Sequence, residues 1–124
     1  MKIPGEYIGV SRRLWQLDVG DLATAAHTMP ITPTEAQDLI RQLCGPLPVT
    51  FRGYRGRAYR PRGLRQSRIT IPSAAGVGPD GVPHLRLGIV FHECAHILTY
   101  REWPGASPHG ERFCQTLARL LREF

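Results

Sequence analysis

Apolar positions along this 124-residue chain follow a helical period, then a strand period, then a helical period again. Ala36, Leu39, Ile40 and Leu43 recur at helical spacing. Ahead of them Thr32-Pro33-Thr34-Glu35 supplies a capping threonine, a proline at the first helical position and a glutamate three residues after the cap. Gly45-Pro46 stops the run, so a helix is predicted over residues 33–44. Three short stretches then alternate apolar with polar: Val49-Thr50-Phe51-Arg52, Arg57-Ala58-Tyr59-Arg60 and Arg68-Ile69-Thr70-Ile71. Gly53, Gly56, Pro61 and Gly63 punctuate them. The pattern predicts a small antiparallel sheet of about three strands, its arginines sharing the solvent face. Pro72 cannot donate a ladder hydrogen bond, so the 68–71 strand is expected to end there or to lie at an edge.

Residues 73–83 read as a loop. Gly76, Gly78 and Gly81 formally match GxGxxG, but Pro79 and Pro83 spoil the turn into a helix that a dinucleotide site needs, and Pro79-Asp80-Gly81 reads as a β-turn. From Leu85 to Tyr100 apolar residues cover nearly the whole circumference of a predicted helix, which is therefore expected to be buried, with Trp103-Pro104-Gly105 ending it. A last helix is expected from Ser107-Pro108, with Phe113, Leu117, Leu120, Leu121 and Phe124 along one stripe. Residues 1–31 are harder to read: Leu14, Trp15, Leu17, Val19 and Leu22 suit a short helix or strand, and Leu22 to Met29 a helical turn or two. The expected class is α+β, one domain over 1–124 with its core in 32–124 and a poorly defined extension at 1–31.

Charge sharpens the picture. Residues 46–90 carry eight arginines against Asp80 alone, and the remainder is nearly balanced, so the net charge of +6 comes from one stretch. Arginine forks suit phosphate or carboxylate. Arg55, Arg57 and Arg60 are the expected contacts for non-specific DNA; a solvated face of a small sheet is the plainer expectation. Cys44, Cys94 and Cys114 are odd in number and irregularly spaced, which argues against a disulfide framework and for a reducing, cytoplasmic location. No apolar run is long enough for a signal peptide or a membrane span.

The chemistry sits at His92-Glu93-Cys94-Ala95-His96. Histidines at i and i+4 of a helix lie about 40° apart, so both imidazoles reach one metal ion. The glutamate between them can accept a proton from a metal-activated water. A buried helix whose polar groups are His92, Glu93 and His96 also needs them satisfied, and a metal does so. A catalytic zinc takes three protein ligands and keeps one position for water. For the third, His109 has room to swing in beside Gly110, Glu111 would suit a ligand on a downstream helix, and Glu102 sits six residues past His96 near the helix end. Tyr59, His84, Tyr100 and Arg101 are within sequence reach as oxyanion donors.

His92-Glu93-x-x-His96 followed by His109-Gly110-Glu111-Arg112-Phe113 resembles the SprT-like (Spartan-type) zinc metallopeptidases and related small metallohydrolases, whose signature is HExxH, a short loop, then HGxxF or HGxxW opening a helix. The resemblance covers about residues 49–124. It implies a mini-zincin fold with a small sheet packed on the metal helix, Zn2+ on His92, His96 and His109, and Glu93 as general base. The function it implies is hydrolysis of peptide bonds in a peptide or protein substrate, with DNA-associated protein as one such substrate. An edge strand at 68–71 would hold an extended peptide by β-augmentation. Two other classes remain: a nucleic-acid-binding or regulatory module with a structural zinc, and a non-peptidase metallohydrolase. Glu93 separates the first of these from a peptidase, because a structural site has no use for it.

Overall fold

The computed structural model describes residues 5–60 and 66–123. Arg62 and Arg65 of the arginine stretch, the Pro61 and Gly63 breaks, and Phe124 lie outside the described residues. Helices α1 (Gly5–Gln16), α2 (Gly20–Thr28) and α3 (Pro33–Cys44) come first, then strands β1 (Val49–Phe51), β2 (Arg57–Tyr59) and β3 (Arg68–Ile71), then α4 (Leu87–Glu102) and α5 (Glu111–Glu123). The class is α+β. Among the described residues no helix is long and apolar enough to cross a membrane.

α3 has the bounds its pattern predicts, because its start is chemically written. The Thr32 hydroxyl accepts from the Glu35 N–H at 3.1 Å, and the Glu35 carboxylate accepts from the Thr32 N–H at 2.9 Å. The N-terminal region is more ordered than its sequence promised. α1 turns into α2 at Asp18, which takes a left-handed conformation (φ 62°), with the Val19 N–H donating to the Leu14 carbonyl at 3.0 Å. Val10, Leu14, Val19 and Ala26 then join the same buried cluster as α3, α4 and α5, so the core is not confined to residues 32–124.

The three strands form where the alternation places them, but the sheet is mixed, not antiparallel. Its order is β1-β3-β2, with β1 parallel to β3 and β2 antiparallel to β3. β3 ends at Ile71, directly before Pro72, as one of the two expectations has it; the other, an edge position, does not hold, because β3 is the central strand. The cause lies just after β1. Arg52 still donates to the Ile71 carbonyl, and the Gly53 carbonyl then accepts from Ser73 and Ala74, which carries the chain across the end of β3. β2 consequently pairs on the far side. Val49, Phe51, Ala58, Ile69 and Ile71 share the inner face, with Ile69 and Ile71 fully buried, while Arg57, Tyr59 and Arg68 share the outer one.

α4 is the central element, packed by α2, α3, α5, β2 and β3. It begins two residues later than its apolar pattern predicts. Pro30 bridges Arg86, and Leu87 donates to the Met29 carbonyl at 2.8 Å, which keeps Arg86 extended. The first turn lies so close to α2 that a Cβ on Gly88 would fall 3.1 Å from the backbone N and Cα of His27. Only glycine lets the two backbones approach this far. Downstream, α5 starts at Glu111 rather than at Ser107-Pro108, because residues 107–110 close a tight turn in which Gly110 donates to the Ser107 carbonyl at 3.2 Å.

Candidate metal centre

Two turns of α4 carry His92 and His96 on one side, as the i, i+4 spacing requires. The turn before α5 supplies His109 in a left-handed backbone conformation, φ 60°. Such a conformation is uncommon outside glycine and costs on the order of 1 kcal/mol, so the surrounding structure must hold it. Its effect is to turn the imidazole inward. His109 Nε2 lies 3.0 Å from His92 Nε2 and 3.1 Å from His96 Nε2. These three histidines form a group that could hold a metal ion. Zn–N bonds of about 2.05 Å in a tetrahedron have N···N edges of about 3.3 Å, within a few tenths of an ångström of the spacing found.

The protonation chemistry agrees with the geometry. Burial, then the positive charges that His96, His109 and Arg86 would place nearby, hold His92 well below the ordinary histidine value. Burial, then His109 and Arg60, push His96 down to about 3. Both rings are therefore neutral at neutral pH, the form that ligates metal. His96 Nδ1 is buried with no hydrogen-bond partner among the described residues, so the polar contact of this ring is through Nε2.

Beneath the rings lies Phe113, fully buried, in the first turn of α5. It stacks on His96 at 4.3 Å between centroids and meets His92 at 4.9 Å and His109 at 5.1 Å edgewise. One side chain thus supports all three candidate ligands. Its position in the HGxxF pattern was visible in the sequence, but as a core residue, not as the floor of a site. Glu93 faces the β1–β2 connection, and a Cβ on Gly56 would lie 3.0 Å from its Cγ and 3.3 Å from its Oε1. Burial alone pushes the Glu93 carboxyl up to about 8. A dication at the histidine cluster would oppose that shift and favour the carboxylate.

The other candidates separate. Glu102 and Glu111 are exposed, and Glu111 accepts from the Gln115 side chain at 3.3 Å, so neither stands with His92 and His96. Of the four donors considered for an oxyanion, Tyr100 alone stacks on a histidine of the cluster, 5.7 Å from His96. Tyr59 lies under the guanidinium groups of Arg57 and Arg68, His84 packs on Tyr54, and Arg101 binds the Cys44 carbonyl. The arginines do not share one face either. Arg57 is on the outer sheet face and Arg55 is exposed in the preceding loop, whereas Arg60 turns to the α4 side, donating to the Ala106 carbonyl at 2.8 Å. Cys94 is fully buried on α4, and its carbonyl takes a long contact from the Cys44 thiol at 3.9 Å.

No family model, no curated protein and no solved structure matches this chain.

Proposed function

We propose that the protein is a zinc-dependent peptidase with a mini-zincin arrangement. The observation that carries this reading is the convergence of the His92, His96 and His109 Nε2 atoms beside a buried carboxyl on the same helix. A zinc ion held there would supply Lewis acidity and a position for water. Glu93 takes the proton of the attacking water on its carboxylate and returns it to the leaving nitrogen. Burial raises the proton affinity of the carboxyl and a dication beside it would lower that affinity again, which would bring Glu93 towards the working pH as a base. Tyr100, stacked on His96, would be the donor to the developing oxyanion.

With β3 in the middle of the sheet, an extended substrate adds to β2 instead. β2 is an edge strand packed on α4, and the residue preceding it, Gly56, lies against Glu93. A peptide paired along that edge passes the histidine cluster, its main chain held by ladder hydrogen bonds.

The test is elemental analysis with a cleavage assay. One zinc per chain is expected, lost on His92→Ala, His96→Ala or His109→Ala and kept on Glu111→Ala. Glu93→Gln should keep zinc while peptide hydrolysis falls by at least ~10²-fold. Unchanged turnover in that variant would remove the peptidase reading. A second reading, a nucleic-acid-binding module with structural zinc, is favoured by Arg57 and Arg68 flanking Tyr59 on the outer sheet face.

A further inference from the structure

Beside the histidine cluster, at the C-terminal end of α4, lies a cavity of about 320 Å³ lined by Arg60, Tyr100, Arg101 and Pro104. Two of its four lining residues are guanidinium-bearing and none is acidic. The two side chains are exposed, and each guanidinium already has one anchor. Arg60 donates one N–H to the Ala106 carbonyl at 2.8 Å and lies over the Tyr100 ring at 4.6 Å. Arg101 donates one N–H to the Cys44 carbonyl at 2.6 Å, at the end of α3. A guanidinium has five N–H donors, so each retains most of its capacity after that anchor. Among the described residues neither has a carboxylate partner. Anchoring removes much of the side-chain entropy that a ligand would otherwise have to overcome.

The cavity is also within reach of the reacting bond. Tyr100 joins the two, 4.6 Å from the Arg60 guanidinium and 5.7 Å from the His96 ring, so the Arg60 charge lies within about 10 Å of the cluster. An extended peptide advances about 3.3–3.6 Å per residue, and an acidic side chain adds roughly as much again. One or two residues therefore span the distance.

We propose that this cavity binds a carboxylate of the substrate, one or two residues from the bond that is cut, and that Arg60 and Arg101 give the protein a preference for acidic peptides. The inference rests on the peptidase reading. The carboxylate has two sources, an acidic side chain or the end of a peptide chain, and both fit paired guanidinium groups. Phosphate fits them too, but the cavity adjoins the centre proposed to cut amides, whereas Arg57 and Arg68 stand together on the outer sheet face, where a nucleic-acid backbone would meet both.

The test measures binding on the Glu93→Gln variant, which holds a peptide without cutting it. The probes are acetylated, amidated eight-residue peptides of alanine and leucine. Each carries one glutamate or, as its isostere, one glutamine, at successive positions. A neutral peptide with a free carboxyl end is compared with its amide. At one or two adjacent positions glutamate should bind at least about tenfold more tightly than glutamine, or the free end should do so over its amide. Adding Arg60→Gln and Arg101→Gln should reduce that preference below about twofold. Arg60→Lys, which keeps the charge and loses the fork, should retain part of it, and Arg119→Gln on α5, which does not line the cavity, should retain all. Equal binding of charged and neutral peptides overturns the proposal. So does a preference that survives loss of both arginines, or a short single-stranded oligodeoxynucleotide that needs these arginines while no peptide binds. A preference in binding without cleavage of the same peptides by the unaltered protein supports the cavity and removes the peptidase reading. Cleavage without a preference does the reverse.

Discussion

Gly56 lies against Glu93 so closely that a Cβ at residue 56 would come within 3.0 Å of the glutamate Cγ. This contact ties the β1–β2 connection to the metal helix and fixes where the carboxyl can sit. The consequence is specific. Gly56→Ala should displace the Glu93 side chain and reduce peptide hydrolysis about 10- to 100-fold, as sub-ångström misplacement of a base does. Zinc content should stay at the level of the unaltered protein, since none of the three histidines moves. An alanine variant with full activity would show that Glu93 is not held by this contact.

Phe113 invites a parallel test, because it touches all three histidine rings. Truncation to alanine would remove a fully buried ring and cost about 3–5 kcal/mol, enough to unfold a small domain. Phe113→Leu is the better probe. It should leave a folded protein whose zinc affinity is lower by about tenfold, the scale seen when groups that orient ligands are changed. Leu117→Ala, one turn further along α5, should lower the melting temperature without that loss. Equal zinc affinities in Phe113→Leu and the unaltered protein would reduce Phe113 to a core residue.

The outer sheet face gives a third prediction. Arg57 lies 4.9 Å and Arg68 4.1 Å from the Tyr59 ring centre, so two positive charges stand together on an exposed surface. If that surface meets duplex DNA, replacing both by glutamine should weaken binding and flatten the log–log salt dependence by about 1.8, near 0.9 for each phosphate no longer neutralised. Arg60→Gln should have little effect there, because Arg60 points to α4. Absence of binding at low salt and micromolar protein would leave these arginines as a solvated face.

How much of this could be read beforehand depends on whether the determining contacts are local. α3 was legible because Thr32 and Glu35 cap each other across three residues. His92 and His96 were legible because helical spacing alone puts them together. The order of the strands was not, because strands of three and four residues carry no signal of which neighbour they pair with, and the crossing depends on hydrogen bonds between Gly53 and residues 73–74. The α1–α2 corner escaped for a different reason: Asp18 takes the left-handed position where a glycine would have been the recognisable signal. His109 was one of three candidates for the same reason. Its inward turn is a property of one backbone angle, φ 60°, and spacing does not encode that.

The last prediction concerns pH and the metal-free protein. Glu93 is pushed up to about 8 from an ordinary value of 4.5, while His96 is pushed down to about 3 from 6.5. Between pH 4.5 and 8 the folded state therefore holds a proton on Glu93 that the unfolded chain has lost, so this group makes stability fall as pH rises. His96 acts the other way between about 3 and 6.5: the unfolded chain binds the proton and the folded state does not, so stability falls as pH drops. His92 and His27, also lowered, act with His96 against Glu93 from 4.5 to 6.5, and above 6.5 Glu93 is the one of these four groups still titrating. At about 1.4 kcal/mol per unit, the metal-free protein should lose about 2 kcal/mol between pH 6.5 and 8. Urea unfolding at those two pH values measures this. Glu93→Gln should be stabilised at pH 8 relative to the unaltered protein and should lose the fall. Saturating zinc should also abolish it, since a dication beside the carboxyl lowers its pKa. The same decline in Glu93→Gln as in the unaltered protein would mean that Glu93 titrates like an exposed carboxyl and is not the buried base.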